Sequence, residues 1–303
     1  MSAPRHTLRP ALRPAWLREF DLSLPITAQY VVTGNVHDLH LDGEDHRFLT
    51  TVACLQRCLV ENGYDLIYRF DPLEGILLDH VGAGIVSADF FPDAHLGRAT
   101  VGAVAKVADL MLQATMATDL RVALIIEGAS ALWADEISVE IARLMLVARR
   151  LTVRDVVRVD EVAHHEGRGG ARGLTPNNAI VWIGDTEADA PAWLRQSDST
   201  RLLRVALPAL SARQHAARQL LPSLPGWDAL DETGRVAAID LLAATTQGVT
   251  CRGLRSIVAL ARDQSTPPAS IDAAVRSHLL GVVDSPWHDP LLLTRVRGAV
   301  DTI

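Results

Sequence analysis

Five short apolar runs punctuate the chain before Pro208, and most are closed by residues that stop a strand. They are residues 29–33 before Gly34-Asn35, residues 66–70 before Asp71-Pro72, residues 122–126, residues 179–184, and residues 202–207 before Pro208. Runs this short, rich in Val, Ile, Leu and aromatic residues, predict strands. Val122-Ala123-Leu124-Ile125-Ile126 shows no polar alternation, which marks a strand buried on both faces of a parallel sheet.

Between the runs the apolar spacing becomes helical. Residues 47–62 place Phe48, Val52, Leu55 and Leu59 on one face and stop at Gly63; residues 100–117 and 135–151 give two more helices. Strands alternating with helices predict parallel βαβ units with right-handed crossovers. Beyond Pro208 the strand pattern stops, and residues 211–221, 231–245, 252–264 and 270–280 read as four helices. The expectation is therefore an α/β fold: a five-stranded parallel sheet, then a small all-helical domain. The expected boundaries are an N-terminal arm at 1–25, the α/β domain at 26–208, the helical domain at 209–282 and a linker or tail at 283–303. Residues 73–98 read as one long loop, of the kind that is often functional. Residues 154–175, rich in Arg, His and Gly, read as a second loop.

Composition narrows the function classes. The chain has 303 residues, is 49% hydrophobic and 21% charged, and carries a formal net charge of −7, so disorder is excluded and a nucleic-acid partner is not expected. Three cysteines, Cys54, Cys58 and Cys251, form no disulfide framework; Cys54 and Cys58, four apart on a helix, read as small buried apolar residues. The Arg/Pro-rich N-terminus lacks a signal-peptide core, and no apolar run is long enough to span a bilayer. A cytoplasmic protein without a membrane partner is expected, and the Ala, Leu, Arg and Val richness fits a GC-rich, bacterial genome. There is a single lysine, Lys106; the other 28 basic residues are arginines.

Several segments together resemble an ATPase module. Residues 122–129 (VALIIEGA) are similar to a Walker B strand, and residues 179–186 (AIVWIGDT) to a sensor-1 strand. Residues 189–195 (DAPAWLR) and 201–208 (RLLRVALP) resemble the approach to a last strand, followed by Ser211-Ala212-Arg213. Residues 248–257 (GVTCRGLRSI) resemble the start of a sensor-2 helix. In that order the segments resemble the AAA+ ATPase superfamily over roughly residues 28–280. The resemblance implies a P-loop-NTPase-like sheet with a helical lid, ATP with Mg²⁺ as the family's cofactor, and assembly into a ring or pairing with another subunit. Similar bacterial proteins carry a module of this kind ahead of an intact one, so the chain could be the N-terminal half of a larger AAA+ protein.

The departures from that pattern bear on chemistry. A Walker A loop needs glycines, so that backbone N–H groups can cradle phosphates, and a lysine to reach them. After the first strand stands Gly34-Asn35-Val36-His37-Asp38, with one glycine, no lysine and a carboxylate. Lys106 lies two elements later. The acidic pair expected after the Walker B strand is Glu127-Gly128, and glycine cannot activate water. The expected function is a catalytically degenerate AAA+-like module, a structural or regulatory protein-binding subunit with no catalytic residue and no resident cofactor. The residues carried over as remnants of a nucleotide site are Gly34, Asn35, Glu127, Asp185, Arg195, Arg201 and Arg255. Of these, Arg195 and Arg201 match the place of a trans-acting arginine finger, and Arg255, with Arg252 beside it, that of sensor 2. The partner would be an intact AAA+ ATPase or further copies of the chain.

Two alternatives carry different chemistry. One is an active ATP-binding ATPase with a non-standard phosphate loop at 34–41. The other is a metal-dependent hydrolase using the 37–46 cluster, where His37, His40 and His46 alternate with Asp38, Asp42, Glu44 and Asp45. Against the metal stands a simpler reading, a solvated loop with an Asn35/Asp38 turn that rigidifies the strand end. Phe90 and Phe91, at the position of a pore loop in ring-forming relatives, read as anchors of a long loop.

Overall fold

The structure is a computed structural model that describes residues 13–41, 47–83, 103–116, 120–134, 139–154 and 178–281. In chain order its elements are α1 (Ala15–Ser23), β1 (Gln29–Gly34), β2 (Leu39–Leu41), β3 (Phe48–Thr50), α2 (Thr51–Glu61), β4 (Leu66–Asp71), β5 (Gly75–Val81), α3 (Ala103–Met116), β6 (Val122–Ile126), α4 (Ala129–Ala134), α5 (Val139–Arg154), β7 (Ala179–Ile183), α6 (Ala192–Arg195), β8 (Thr200–Val205), α7 (Leu210–Leu220), α8 (Glu232–Thr245), α9 (Cys251–Asp263) and α10 (Ile271–Leu280). The chain divides into two compact units. One runs to Ala206; the other starts at Leu207 and also claims Arg47 and Phe48.

The first unit is built on a six-stranded sheet in the order β5-β4-β6-β7-β1-β8. All five expected strands are present and mutually parallel. The expected count of five is corrected to six by β5, which pairs antiparallel with β4 at the edge, inside the stretch read as a loop. A local turn makes that strand. The Asp71 carboxylate accepts from the N–H groups of Leu73 (2.7 Å) and Glu74 (2.9 Å), and Gly75 takes a φ of 88°. The chain therefore folds back at once, and Ile76 returns to the core.

Both faces of the sheet are covered. Val31, Tyr68, Leu124 and Trp182 meet α3, α4 and α5 through Met111, Leu132 and Leu144. Tyr30, Ile67, Ile125 and Val181 meet α1 and α2 through Phe20, Leu55 and Leu59. The described part of the stretch read as an N-terminal arm, residues 13–25, contains α1. Behind Pro14, Trp16, Leu17, Phe20 and Leu24 recur at helical spacing and are buried, so α1 is part of the core. The helix expected from residue 47 starts at Thr51, because the Thr50 hydroxyl caps it by accepting from Ala53 N–H at 3.2 Å. Phe48–Thr50 instead form β3, which pairs with β2. Gln29 is fully buried with its polar groups satisfied: its amide donates to Ala148 O (2.8 Å) and accepts from Trp182 Nε1 (3.2 Å).

The second unit packs α7–α10 around Ala217, Leu242, Leu254, Ile257 and Ile271. Asp231 and Thr250 cap α8 and α9 by accepting from Gly234 and Gly253 N–H. Arg213 is buried and donates to Pro208 O (2.7 Å) and Ala243 O (2.9 Å), which fastens α7. Among the described residues no helix is long and apolar enough to cross a membrane. Phe90 and Phe91, most of 154–175 and the tail from residue 283 lie outside the described residues.

Candidate functional site at the carboxyl edge of the sheet

Parallel strands end together, so the sequence positions after β6, β7, β1 and β8 share one edge. The connection from β1 leaves through α2 on one face, whereas β7 continues through Leu194 of α6 packed on the other. Such a reversal between neighbouring strands is where open α/β sheets bind ligands. Here it lies between the turn that opens with Gly34 and the turn that opens with Gly184.

The first turn is tied down by backbone hydrogen bonds, within itself and to the neighbouring strands. Gly34 N–H donates to Asp185 O (3.0 Å), Asn35 N–H to Val205 O (2.8 Å), Val36 N–H to Gly34 O (2.8 Å) and Asp38 N–H to Asn35 O (3.4 Å). These donors point at protein carbonyls, not at an open crevice. Gly34 has a φ of 96°, and a Cβ there would lie 2.7 Å from Val205 O, so the turn needs glycine to pass β8. Asp38 is 3% exposed, and its carboxylate accepts from the Asn35 amide at 2.8 Å.

From the turn the chain enters β2 rather than a helix. His40 is buried against Trp16, ring centroids 5.3 Å apart, and its Nε2 lies 3.0 Å from Thr51 Oγ1. That hydroxyl donates to Val36 O (2.6 Å), so it accepts from the imidazole N–H. Burial holds the His40 pKa below its ordinary value, with the Asp38 carboxylate pulling the other way. The first residue of α2 thus ties the turn down.

Across the crevice, Gly184 lets α4 approach: a Cβ would meet Ser130 Oγ at 2.9 Å and Trp133 at 3.0 Å. Ser130 Oγ accepts from Asp185 N–H (2.8 Å) and donates to the Asp189 carboxylate (2.7 Å). The bonds from Ser130 and Thr186 hold Asp189 below the usual carboxylate range. The Asp185 carboxylate lies 3.0 Å from His37 Nε2, with both side chains well exposed.

At the end of β6, Glu127 accepts from Arg69 Nη1 at 3.0 Å. The same guanidinium donates to Asp79 (2.8 Å) and lies 3.5 Å from Glu74, while Gln56 also donates to Asp79. Partial burial opposes the Arg69 charge, but the bonds to Glu127 and Asp79 outweigh it and raise its pKa. Gly128 has a φ of 63°, and a Cβ there would meet Pro72 Cγ at 2.9 Å.

Of the carried-over residues, the edge brings Gly34, Asn35 and Asp185 into one hydrogen-bonded group, with Glu127 at the end of a nearby strand held by Arg69. The others have intramolecular partners elsewhere. Arg195 Nε donates to Ala190 O (2.8 Å), and Arg201 makes a two-pronged pair with Glu19 of α1 (2.7 and 2.8 Å). Arg255 belongs to the second unit, where its guanidinium stacks 5.6 Å over the Phe48 ring. His37 and His40 of the histidine cluster make separate contacts, and His46 lies outside the described residues. Among the described residues no group of three His, Cys, Asp or Glu side chains could hold a metal. Sequence reasoning missed Arg69, Thr51, Ser130 and Asp189. Arg69 alone left a signal, as the one charge inside the run Leu66–Phe70.

A family model described as the N-terminal Rossmann-like domain of AAA+ chaperones matches residues 6–206. That is more than half of the chain, and the chain belongs to this family. One chain of a solved assembly, "Structure of E. coli MS115-1 HORMA:CdnC:Trip13 complex", is similar at 15% identity and a TM-score of 0.46, with 89% of this chain and 78% of that chain covered. No curated protein matches the sequence.

Proposed function

We propose that this member of the AAA+ chaperone family is a catalytically degenerate module, a protein-binding subunit of an assembly that does not hold or hydrolyse ATP in the usual way. The observation that carries the reading is the closed turn after β1. Phosphate binding at such a turn requires several backbone N–H groups aimed at the ligand. Those of Gly34, Asn35, Val36 and Asp38 are spent on protein carbonyls, and the buried Asp38 carboxylate would repel an anion.

The rest of the edge supports the same reading. Glu127 faces an arginine, a cation already supplied by the chain. Gly128 offers no side chain to activate water. Family membership supplies the role that is left: a chaperone-type fold presenting surfaces to protein partners, an intact AAA+ ATPase or further copies of itself among them.

Titration calorimetry with ATP and ADP, with and without Mg²⁺, tests this directly, together with phosphate release. The expected result is no saturable heat and no release above buffer. Tight binding that is abolished by Glu127→Ala would establish a working nucleotide site with a non-standard loop and sink the proposal.

A further inference from the structure

Helix α5 buries Ile141, Leu144, Val147 and Ala148 in the sheet core. Its opposite side is also partly apolar, and faces solvent. Val139 is 78% exposed and Leu146 67%, with Ala142 exposed between them. At about 100° per residue, positions 139, 142 and 146 fall on one line along the helix. Arg143 and Arg150 flank that line on one side and Arg149 on the other, all exposed. Arg143 pairs with Asp109 of α3 at 2.7 Å, where both side chains remain about half exposed. Glu140 is the single acid between Val139 and Arg150, in a chain whose net charge is −7.

Single exposed leucines are ordinary. An apolar line two turns long with arginines on both flanks is a recognition pattern: side chains at i, i+3 and i+7 anchor a helix, and the flanking charges set its polarity. We propose that the outer face of α5 is a docking surface for an acidic amphipathic helix of a partner protein. Its leucines would cover Val139, Ala142 and Leu146, and its carboxylates would meet Arg143, Arg149 and Arg150. Charge selects this occupant. A second copy laid face to face would set arginine against arginine. An anionic bilayer offers the right charge, but the side chains of Val139 and Leu146 alone give a shallow anchor. The inference rests on the protein-binding reading above and names a surface and a partner chemistry for it.

The test uses the full chain and a fluorescent peptide of roughly five helical turns (about 18 residues), leucine at i, i+3 and i+7 and glutamate on the flanks. A scrambled peptide of the same composition is the control. Anisotropy should show saturable binding that weakens with salt, and Leu146→Glu should weaken it about tenfold or more. Arg150→Glu should also weaken it and flatten the salt dependence. Both positions are exposed, so circular dichroism of the variants should match the parent. The idea is overturned if the parent does not distinguish the peptide from its scramble, or if Leu146→Glu binds equally well. Preferential adsorption to phosphatidylserine vesicles, or self-association lost in Leu146→Glu, would overturn it in favour of those occupants. ATP titration is independent: nucleotide binding would sink the degenerate-module reading and leave this surface standing, whereas failure here leaves that reading intact.

Discussion

Gly34 N–H donates to Asp185 O at 3.0 Å, so the turns that end β1 and β7 are bonded directly across the crevice of the sheet. In an open α/β sheet that crevice is the place for a ligand. Here the backbone group best placed to meet an anion meets a carbonyl.

Gly34→Ala should therefore act on stability. A side chain at φ 96° is strained, and its Cβ would press on Val205 O at 2.7 Å. A loss of about 2–3 kcal/mol is expected in urea or thermal unfolding. A neutral outcome would mean that the turn yields more easily than its hydrogen bonds imply.

Arg69 is the cation shared by Glu127, Asp79 and Glu74. Arg69→Met leaves those carboxylates facing one another, while Glu127→Gln removes only one partner. The first should cost about 1–3 kcal/mol and the second about 1 kcal/mol or less. The Arg69→Met penalty should shrink in high salt, where repulsion is screened. Denaturation midpoints of both variants at low and high salt check this, and an equal cost for the two would contradict the shared-cation picture.

The five parallel strands were legible because each is a short apolar run closed by a turn residue, and buried strands need no alternation to be seen. β5 was not, because Gly75–Val81 sits among glycines and prolines and becomes a strand only when Asp71 folds the chain back onto β4. The helix starting at Thr51 was placed too early because Phe48 and Leu49 fit a helical spacing as well as a strand. The missing lysine and the Glu127-Gly128 pair were readable as letters. The bonds that tie down the Gly34 turn were not: Gly34 to Asp185 spans distant parts of the chain, and the bond is made by backbone, which carries no residue-type signal.

Cys54, Cys58 and Cys251 are buried thiols that take part in no disulfide. Burial raises the Cys58 thiol well above its ordinary pKa, helped by Asp21 nearby. Reaction requires an exposed thiolate. The native protein should thus leave all three unmodified by Ellman's reagent at pH 8, and three equivalents should react after denaturation. Rapid labelling of Cys54 or Cys58 in the native state would show that α2 opens from the sheet.

His40 should make stability depend on pH. Its pKa in the fold lies below the ordinary 6.5 because burial disfavours the imidazolium, although Asp38 favours it. The unfolded chain therefore takes up a proton at a higher pH than the folded one. The neutral form's advantage is fully present above about pH 6.5 and is lost as pH falls towards the folded pKa. Protonation would still permit the bond to Thr51 Oγ1, so the cost is desolvation of charge beside Trp16, not loss of a partner. Thermal midpoints between pH 7 and pH 5 should fall for the parent, and His40→Gln should flatten that part of the profile. Because Thr51 also holds Val36, melting the His40 contact should loosen the turn at Gly34 first. Amide exchange at Val36 and Asp38 should accelerate at pH 5, after correction for intrinsic rates, before global unfolding. Unchanged protection there would show that the turn is held by its own backbone bonds alone.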